Sequence, residues 1–347
     1  MSKEMDNQDA PITFADIGIT KTPQLADTRL GKRRVFKDIN KQEIGFSTVA
    51  CVSLVAALVL AIVKIVELAK DQNTKDPDFT FALIVIINTI FCLYYVLNGI
   101  LAERPYEILV FVLANIIVWI YVIANYAISP GDIKLVRLVL ACILSPILIV
   151  LGVLIAKLYN DSGKLIFRTV GANTEQQAMC KTMFAFFGLL KFDLQLGLSM
   201  VVLILTNGTK TDTQDIVILS VGPVYTVICF LLGYLSVRWE NRKLAIAFGI
   251  SLLTQPGYIL YKIIQTGENI NDGNLALAAT TFTCAALALI IRISVAIFAV
   301  RTYLNFGYGL SEKVFPMSKH RSVTDGSKDI QDSPTRHSEE GLKQDDS

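Results

Sequence analysis

Histidine is scarce in this sequence, and its scarcity excludes several kinds of catalytic site. The chain has two histidines, His320 and His337, and both lie in a polar stretch near the carboxyl end. The long apolar part of the chain therefore offers no histidine general base, no Ser-His or Cys-His nucleophile and no histidine zinc ligand. We expect no enzymatic activity, no bound metal and no cofactor.

The sequence also lacks the short motifs that bind nucleotides or carry hydrolase chemistry. It has no P-loop, no G-x-G-x-x-G and no G-x-S-x-G, and none of its six cysteines belongs to a C-x-x-C pair. A paired-aspartate membrane protease needs acids on two helices, and Asp193 is the one aspartate inside a predicted membrane span. We expect no nucleic-acid partner either.

Charged residues are few, and their distribution indicates a membrane protein. They make up 18% of the chain, while hydrophobic residues make up 53%, and the mean hydropathy is +0.51. A soluble domain has about 25% charged residues. The charges are concentrated near both ends and in short connectors, which leaves a series of long apolar runs. The expected surroundings of these runs are the lipids of the plasma membrane or an endomembrane.

The apolar runs are long enough to cross a bilayer as helices, since a core of about 30 Å takes about 20 helical residues. They do not alternate polar and apolar residues as the strands of a membrane barrel do. We predict an all-α transmembrane bundle at residues 44–302, between a polar, basic N-terminal segment at 1–43 and a disordered tail at 303–347. The eight predicted spans are 46–69, 79–101, 108–128, 135–156, 184–206, 216–237, 244–266 and 275–300.

Lysine and arginine are sorted between the two sides of this bundle, which predicts cytoplasmic N and C termini. The connectors that we place outside hold four basic residues, namely Lys70, Lys75, Lys134 and Lys210. The N-terminal flank and the inner connectors hold many more.

Asn207 opens an Asn-Gly-Thr glycosylation sequon in a predicted outer connector. The longest inner connector is 157–182, where Asn173 or Thr174 is placed to cap a helix that continues into span five.

Two charged residues lie well inside predicted spans, at similar depths. Asp193 in span five and Arg292 in span eight both fall in the inner half of the bilayer at a helical rise of about 1.5 Å per residue. We predict that they form an ion pair that faces the bundle interior. The pair would either fix helix packing or form part of an ion or substrate site. In the remaining alternative, both residues sit unpaired in the inner headgroup region.

Other polar residues inside the spans are expected to form hydrogen bonds between helices. They include Lys191, Gln195, Gln255 and Asn88. Proline residues in spans six and seven, Pro223 and Pro256, predict kinks. Span eight is rich in alanine, which allows close helix approach and predicts a place inside the bundle.

Two stretches of the sequence resemble a known family. They are Phe167-Arg168-Thr169-Val170-Gly171-Ala172-Asn173 through Leu189-Leu190-Lys191-Phe192-Asp193, and Val237-Arg238-Trp239-Glu240-Asn241-Arg242. They are similar to an uncharacterised family of multi-pass membrane proteins of animals and fungi, known as a domain of unknown function, over about residues 80–300. The resemblance implies that the charges of span five and the 238–243 turn belong to a common core. It implies no activity, cofactor or substrate.

Two classes of function fit these observations. The first is a transporter or channel-like protein that uses the polar residues of spans five, seven and eight. The second is a membrane scaffold or regulatory protein that transports nothing and binds protein partners through its inner loops and tail. A polar cavity that reaches Asp193 would favour the first class, and a tightly packed interior would favour the second. The sequence identifies neither a small-molecule substrate nor a protein partner.

Overall fold

The computed structural model describes residues 25–28, 31–34, 39–70, 77–128, 130–203, 213–268 and 275–315. These residues are almost entirely helical, and eight of the helices are long and apolar enough to cross a membrane. The predicted eight-span helical bundle is therefore confirmed, while its orientation in the membrane stays a prediction. The elements in chain order are β1 (Leu25–Thr28), β2 (Gly31–Arg34), α1 (Lys41–Lys70), α2 (Pro77–Leu101), α3 (Pro105–Ile128), α4 (Asp132–Ser162), α5 (Lys164–Val170), α6 (Thr174–Val202), α7 (Thr213–Arg238), α8 (Arg242–Glu268), α9 (Leu275–Leu304) and α10 (Leu310–Val314).

The spanning helices pack as two four-helix bundles. In the first bundle each of α1 to α4 packs on the next, and α4 returns to α1. In the second bundle α6 to α9 pack in the same order, and α9 returns to α6. Short connections make consecutive helices antiparallel, as in other up-and-down bundles. Helix α6 also packs on α2 and α3, so it forms the wall that the two bundles share.

This shared position explains why α6 is the most buried of the spanning helices. In its most apolar stretch 72% of the residues are buried, against 28% in the alanine-rich α9. Helix α9 does pack closely along α6, as its small residues predict. Helix α9 also contacts α3, α7 and α8, while residues such as Ile290 and Ile293 remain exposed. Polar groups on α6 are therefore the ones that lie deepest in the protein.

The segment predicted as the longest inner connector, 157–182, is mostly helical. Helix α4 continues to Ser162, and α5 fills much of the space before α6 begins at Thr174. Gly163 and Gly171 separate these helices with φ angles of 51° and 81°, which residues with a side chain rarely adopt. Asn173 is the N-cap of α6, as predicted, and its side chain accepts hydrogen bonds from the backbone N–H groups of Glu175 and Gln176 at 3.0 and 3.2 Å.

The basic N-terminal flank contains one residue that is anchored in the first bundle. Strands β1 and β2 form an antiparallel hairpin that ends at Arg34, which is buried. Its guanidinium lies 3.0 Å from the Glu43 carboxylate and 3.1 Å from that of Glu103, and it donates to the Ile100 carbonyl at 2.9 Å. Burial acts to lower the pKa of Arg34, but the carboxylates of Glu103 and Glu43 outweigh it and hold the pKa above its usual value. The hairpin is therefore tied to the N-terminal end of α1 and the C-terminal end of α2.

The C-terminal end of the bundle is anchored in a comparable way. Glu240, in the turn between α7 and α8, accepts hydrogen bonds at 3.0 Å from the backbone N–H groups of Gly307 and Ser311. Phe315 is buried against Phe187. Ordered structure therefore extends beyond residue 302, where the predicted tail begins, and the rest of that tail, 316–347, lies outside the described residues.

Candidate functional site

Helix α6 carries two polar stripes on opposite faces. Asp193 and Gly197, four residues apart, line a cavity in the second bundle. Lys191 and Gln195, also four residues apart, contact α3 and α2 of the first bundle. A spacing of four residues keeps each pair on one helix face, and the two-residue offset separates the faces. One helix thus presents ionisable groups to both bundles.

The structure places Asp193 and Arg292 together. Nη1 of Arg292 on α9 lies 3.1 Å from Oδ2 of Asp193 on α6, and the two residues are 4% and 7% exposed. The Nε group of Arg292 is buried and has no hydrogen-bond acceptor among the described residues. A buried ion pair offsets its desolvation cost only when its remaining donors are also satisfied. The pair of Asp193 and Arg292 therefore offsets only part of its desolvation cost.

A cavity of about 280 Å³ lies among α6, α7, α8 and α9 and reaches Asp193, and its wall includes the exposed residues Val221 and Thr254. Among the residues that the structure describes, Asp193 is the one charged residue that lines it. The rest of the lining is mainly apolar, with a few polar side chains from α7 and α8. Gln255, which we singled out from the sequence, is one of these, and the others are Tyr225, Thr226, Thr254 and Tyr258.

Glycine and proline residues shape the walls of this cavity. A Cβ atom on Gly197 of α6 would lie 2.7 Å from the Thr226 side chain, and one on Gly222 of α7 would lie 2.9 Å from the Val201 side chain. Each glycine therefore makes room for a side chain of the other helix, which lets α6 and α7 approach closely. Pro223 and Pro256 lie inside α7 and α8 next to lining residues. Each proline removes one backbone hydrogen bond from its helix at the level of the cavity.

Large side chains fill the space on the N-terminal side of Asp193 along α6. Leu190, one turn before Asp193 on α6, is fully buried. Phe186 packs edge to face on Phe248, with the ring centroids 6.0 Å apart. A Cβ atom on Gly233 would lie 2.9 Å from the Phe248 ring and 3.1 Å from Leu190. The cavity thus lies between Asp193 and the end of the bundle that we predict to be external, while the inner half is closed by packing.

A second group of buried charges was not predicted from the sequence. Glu107 on α3 is 1% exposed, and its Oε1 lies 2.6 Å from Lys191 Nζ and 3.1 Å from Arg104 Nη1. Asn98 donates a hydrogen bond to Oε2. The Lys191 ammonium lies 5.0 Å from the centre of the Tyr94 ring, which adds a favourable cation–π contact. One carboxylate thus holds two cations and joins the α2–α3 turn to α6.

A hydrogen bond between Gln195 and Asn88 joins α6 to α2, one turn further along α6 than Lys191. The Gln195 side-chain amide donates to Asn88 Oδ1, and Asn88 Nδ2 donates to the Ile84 carbonyl at 2.9 Å. Asn88 also lines a smaller cavity, of about 110 Å³, inside the first bundle. Arg137 borders that cavity and donates to the Leu60 carbonyl at 3.1 Å. Each bundle therefore contains a cavity with polar groups in its wall.

Two further predictions concern glycosylation and metal binding. Asn207, the candidate glycosylation site, lies outside the described residues. Across the described ranges, no three or more His, Cys, Asp and Glu side chains are grouped closely enough to hold a metal ion. In the described part of the second bundle, the carboxylate of Asp193 lies at the end of a mainly apolar cavity.

Comparisons with known proteins give one match. A family model described as a domain of unknown function, DUF7789, matches residues 33–157 and 170–301. The matched ranges begin well before residue 80, where the sequence resemblance was placed, and they include both Asp193 and Arg292. No curated protein matches the chain, and no solved structure matches it. The range of organisms that the resemblance implies stays a prediction.

Proposed function

Because the chain belongs to the DUF7789 family, whose description states no activity, we propose a function from the geometry of its second bundle. The protein is a transporter, not an enzyme, that takes a small organic cation into the cavity of the second bundle and carries it across the membrane. The observation that supports this most is the cavity that ends at Asp193. Ionisable residues inside a membrane bundle are costly and commonly mark solute pathways.

The lining of the cavity favours a cation that is mainly apolar. The carboxylate of Asp193 is the charge that faces the cavity, while Arg292 lies behind it and is not part of the lining. Tyr225 and Tyr258 line the same space, and tyrosine rings attract organic cations through their faces. The volume of about 280 Å³ is close to the lower limit of small-molecule pockets.

The shape of the second bundle supports access from one side at a time. The cavity lies on one side of Asp193, and the packing of Phe186, Leu190 and Phe248 closes the other. Pro223 and Pro256 interrupt the backbone hydrogen bonds of α7 and α8 at the level of the cavity. Such interruptions provide places where helices of a transporter bend. A second state would open the packed half while closing the present cavity.

Cysteine labelling tests whether a solute reaches this cavity. In a background without the natural cysteines, Ala288→Cys places a thiol on the cavity wall. A cationic methanethiosulfonate reagent should label it faster than an anionic one, because the Asp193 carboxylate lines the cavity and Arg292 does not. Tetraethylammonium should slow the labelling.

Ala285→Cys provides the matched control. Ala285 lies on the same helix, is also buried, and packs in the core away from the cavity. Its thiol should react slowly with both reagents and be insensitive to tetraethylammonium. Equal labelling rates at positions 285 and 288, with no charge preference, would mean that no solute enters the cavity.

A regulatory or scaffold function remains the second candidate, and one observation favours it. Glu240 fixes the segment around Gly307 and Ser311 to the inner end of the second bundle. The chain after residue 315 therefore leaves from a defined place, from which it can present a binding segment to a cytoplasmic partner. Deletion of residues 316–347 should abolish this function and leave cation transport intact.

A further inference from the structure

A second depression in the second bundle lies on its lipid-facing surface. It has a volume of about 400 Å³ and runs between α8 and α9, with Phe186 and Phe248 at its base. Gly249, Ala296 and Ala299 line it, and the depression exists because these residues have small side chains or none. The rim is apolar and open, as Ile246, Leu253 and Val300 are 59%, 77% and 59% exposed. We refer to it as the α8–α9 groove.

Three basic residues lie at the end of the groove nearest the membrane surface. Arg242 and Lys243 are in the first turn of α8, one turn from lining residues Ala245 and Ile246, and Arg301 follows lining residue Val300 on α9. All three are exposed, and none forms an ion pair with another described residue.

Exposed aromatic residues mark the same level of the protein. Trp239, in the turn before α8, is 58% exposed, and Tyr308, after α9, is 57% exposed. Tryptophan and tyrosine prefer the headgroup region of a bilayer. The three cations thus lie at headgroup depth, and the groove leads from them into the hydrocarbon.

We propose that the α8–α9 groove binds an anionic phospholipid. Its phosphate contacts Arg242, Lys243 and Arg301, and one acyl chain lies in the groove as far as Leu253. Leu253 follows Lys243 by ten positions, or about 15 Å of helix, which is roughly half the thickness of the hydrocarbon core. A peptide is a poor fit, because the lining would leave its backbone polar groups unsatisfied within the membrane.

Native mass spectrometry of the full chain tests this site. The protein, purified in detergent, is incubated with phosphatidylglycerol or with phosphatidylcholine of the same acyl chains, and the retained lipid is counted. The wild type should retain phosphatidylglycerol in preference. Gly249→Leu should abolish this retention, because a Cβ atom there meets nothing within 4 Å and the longer side chain fills the groove. Gly257→Leu, on the same helix and equally open but outside the groove, should retain the lipid as the wild type does.

The charge contribution is tested with two triple variants. Replacing Arg242, Lys243 and Arg301 with glutamine should weaken phosphatidylglycerol binding about fivefold for each charge removed. Replacing Lys41, Lys157 and Lys164 with glutamine removes the same charge from the same end of the spanning helices, away from the groove, and should have little effect. Equal losses in both triple variants, or wild-type retention in Gly249→Leu, would overturn the proposal.

Discussion

Replacing Glu107 with alanine is expected to lower the free energy of unfolding by about 3–5 kcal/mol, because a buried charge loses its partner. The carboxylate is 1% exposed and forms ion pairs with both Lys191 and Arg104. Without it, two cations remain in an apolar environment at the junction of α3 and α6. Denaturation of the purified protein in detergent measures the loss. Glu175→Ala, which removes an exposed carboxylate in the first turn of α6, should cost less than about 1 kcal/mol.

A double variant separates the ion pair from general damage at this position. Lys191→Met keeps an unbranched side chain of similar length and removes the ammonium group. Lys191 Nζ lies 2.6 Å from the Glu107 carboxylate. The double variant Glu107→Ala/Lys191→Met should therefore lose about 0.5–3 kcal/mol less stability than the two single variants lose in sum. Strict additivity would show that the two groups do not interact in the membrane.

Replacing Arg292 with alanine is expected to destabilise the protein more than replacing Arg292 and Asp193 together. The single variant leaves the Asp193 carboxylate buried without a cation, at a cost of about 3–5 kcal/mol. The double variant removes both charges, so part of that stability returns. Thermal unfolding and the yield of monodisperse protein are the measurements. Losses that simply add, or a double variant less stable than Arg292→Ala, would rule out the pair.

The spans and the depth of the intramembrane charges could be predicted from the sequence. The thickness of the bilayer and the rise of an α-helix fix how far a residue lies from the membrane surface. The similar depths of Asp193 and Arg292 followed from counting residues along two spans, and the structure places them 3.1 Å apart. Depth alone did not show that α6 and α9 are neighbours.

The Glu107 cluster was missed because it depends on helix neighbours and on an exact helix boundary. The sequence assigned residues 102–107 to an inner connector, so Glu107 was not weighed as an intramembrane acid. Helix α3 begins at Pro105, which places Glu107 in its first turn, facing Lys191. Proline at the start of a helix is a recognised signal, and it would have moved the boundary.

Arg34 shows a different limit of sequence reasoning. The basic residues of the N-terminal flank were counted together as a topology signal. Such a count does not distinguish one basic residue from another. In the structure Arg34 is buried beside Glu43 and Glu103. Their carboxylates lie 9 and 69 positions away in the chain, and no local pattern links them to Arg34. Only the fold brings these groups together.

The cavity itself could not be predicted, because its volume depends on the spacing of four helices. The sequence did contain its markers, namely Gly222-Pro223 on α7 and Gln255-Pro256 on α8. We interpreted both prolines as predicting kinks. Nothing in the sequence indicated that their neighbours Gly222 and Gln255 line the cavity beside Asp193. The contacts of Gly197 with Thr226, which bring α6 and α7 together, are likewise a property of the fold.

Flux of tetraethylammonium into proteoliposomes is the most direct test of the proposed transport. The wild type should admit the cation faster than liposomes without protein. Ala288→Leu, which narrows the cavity while keeping the pair of Asp193 and Arg292, should reduce the flux to the background level. Gly257→Leu, on the lipid-facing side of α8, should match the wild type. A wild-type flux equal to that of protein-free liposomes would contradict the proposal that the second bundle carries organic cations.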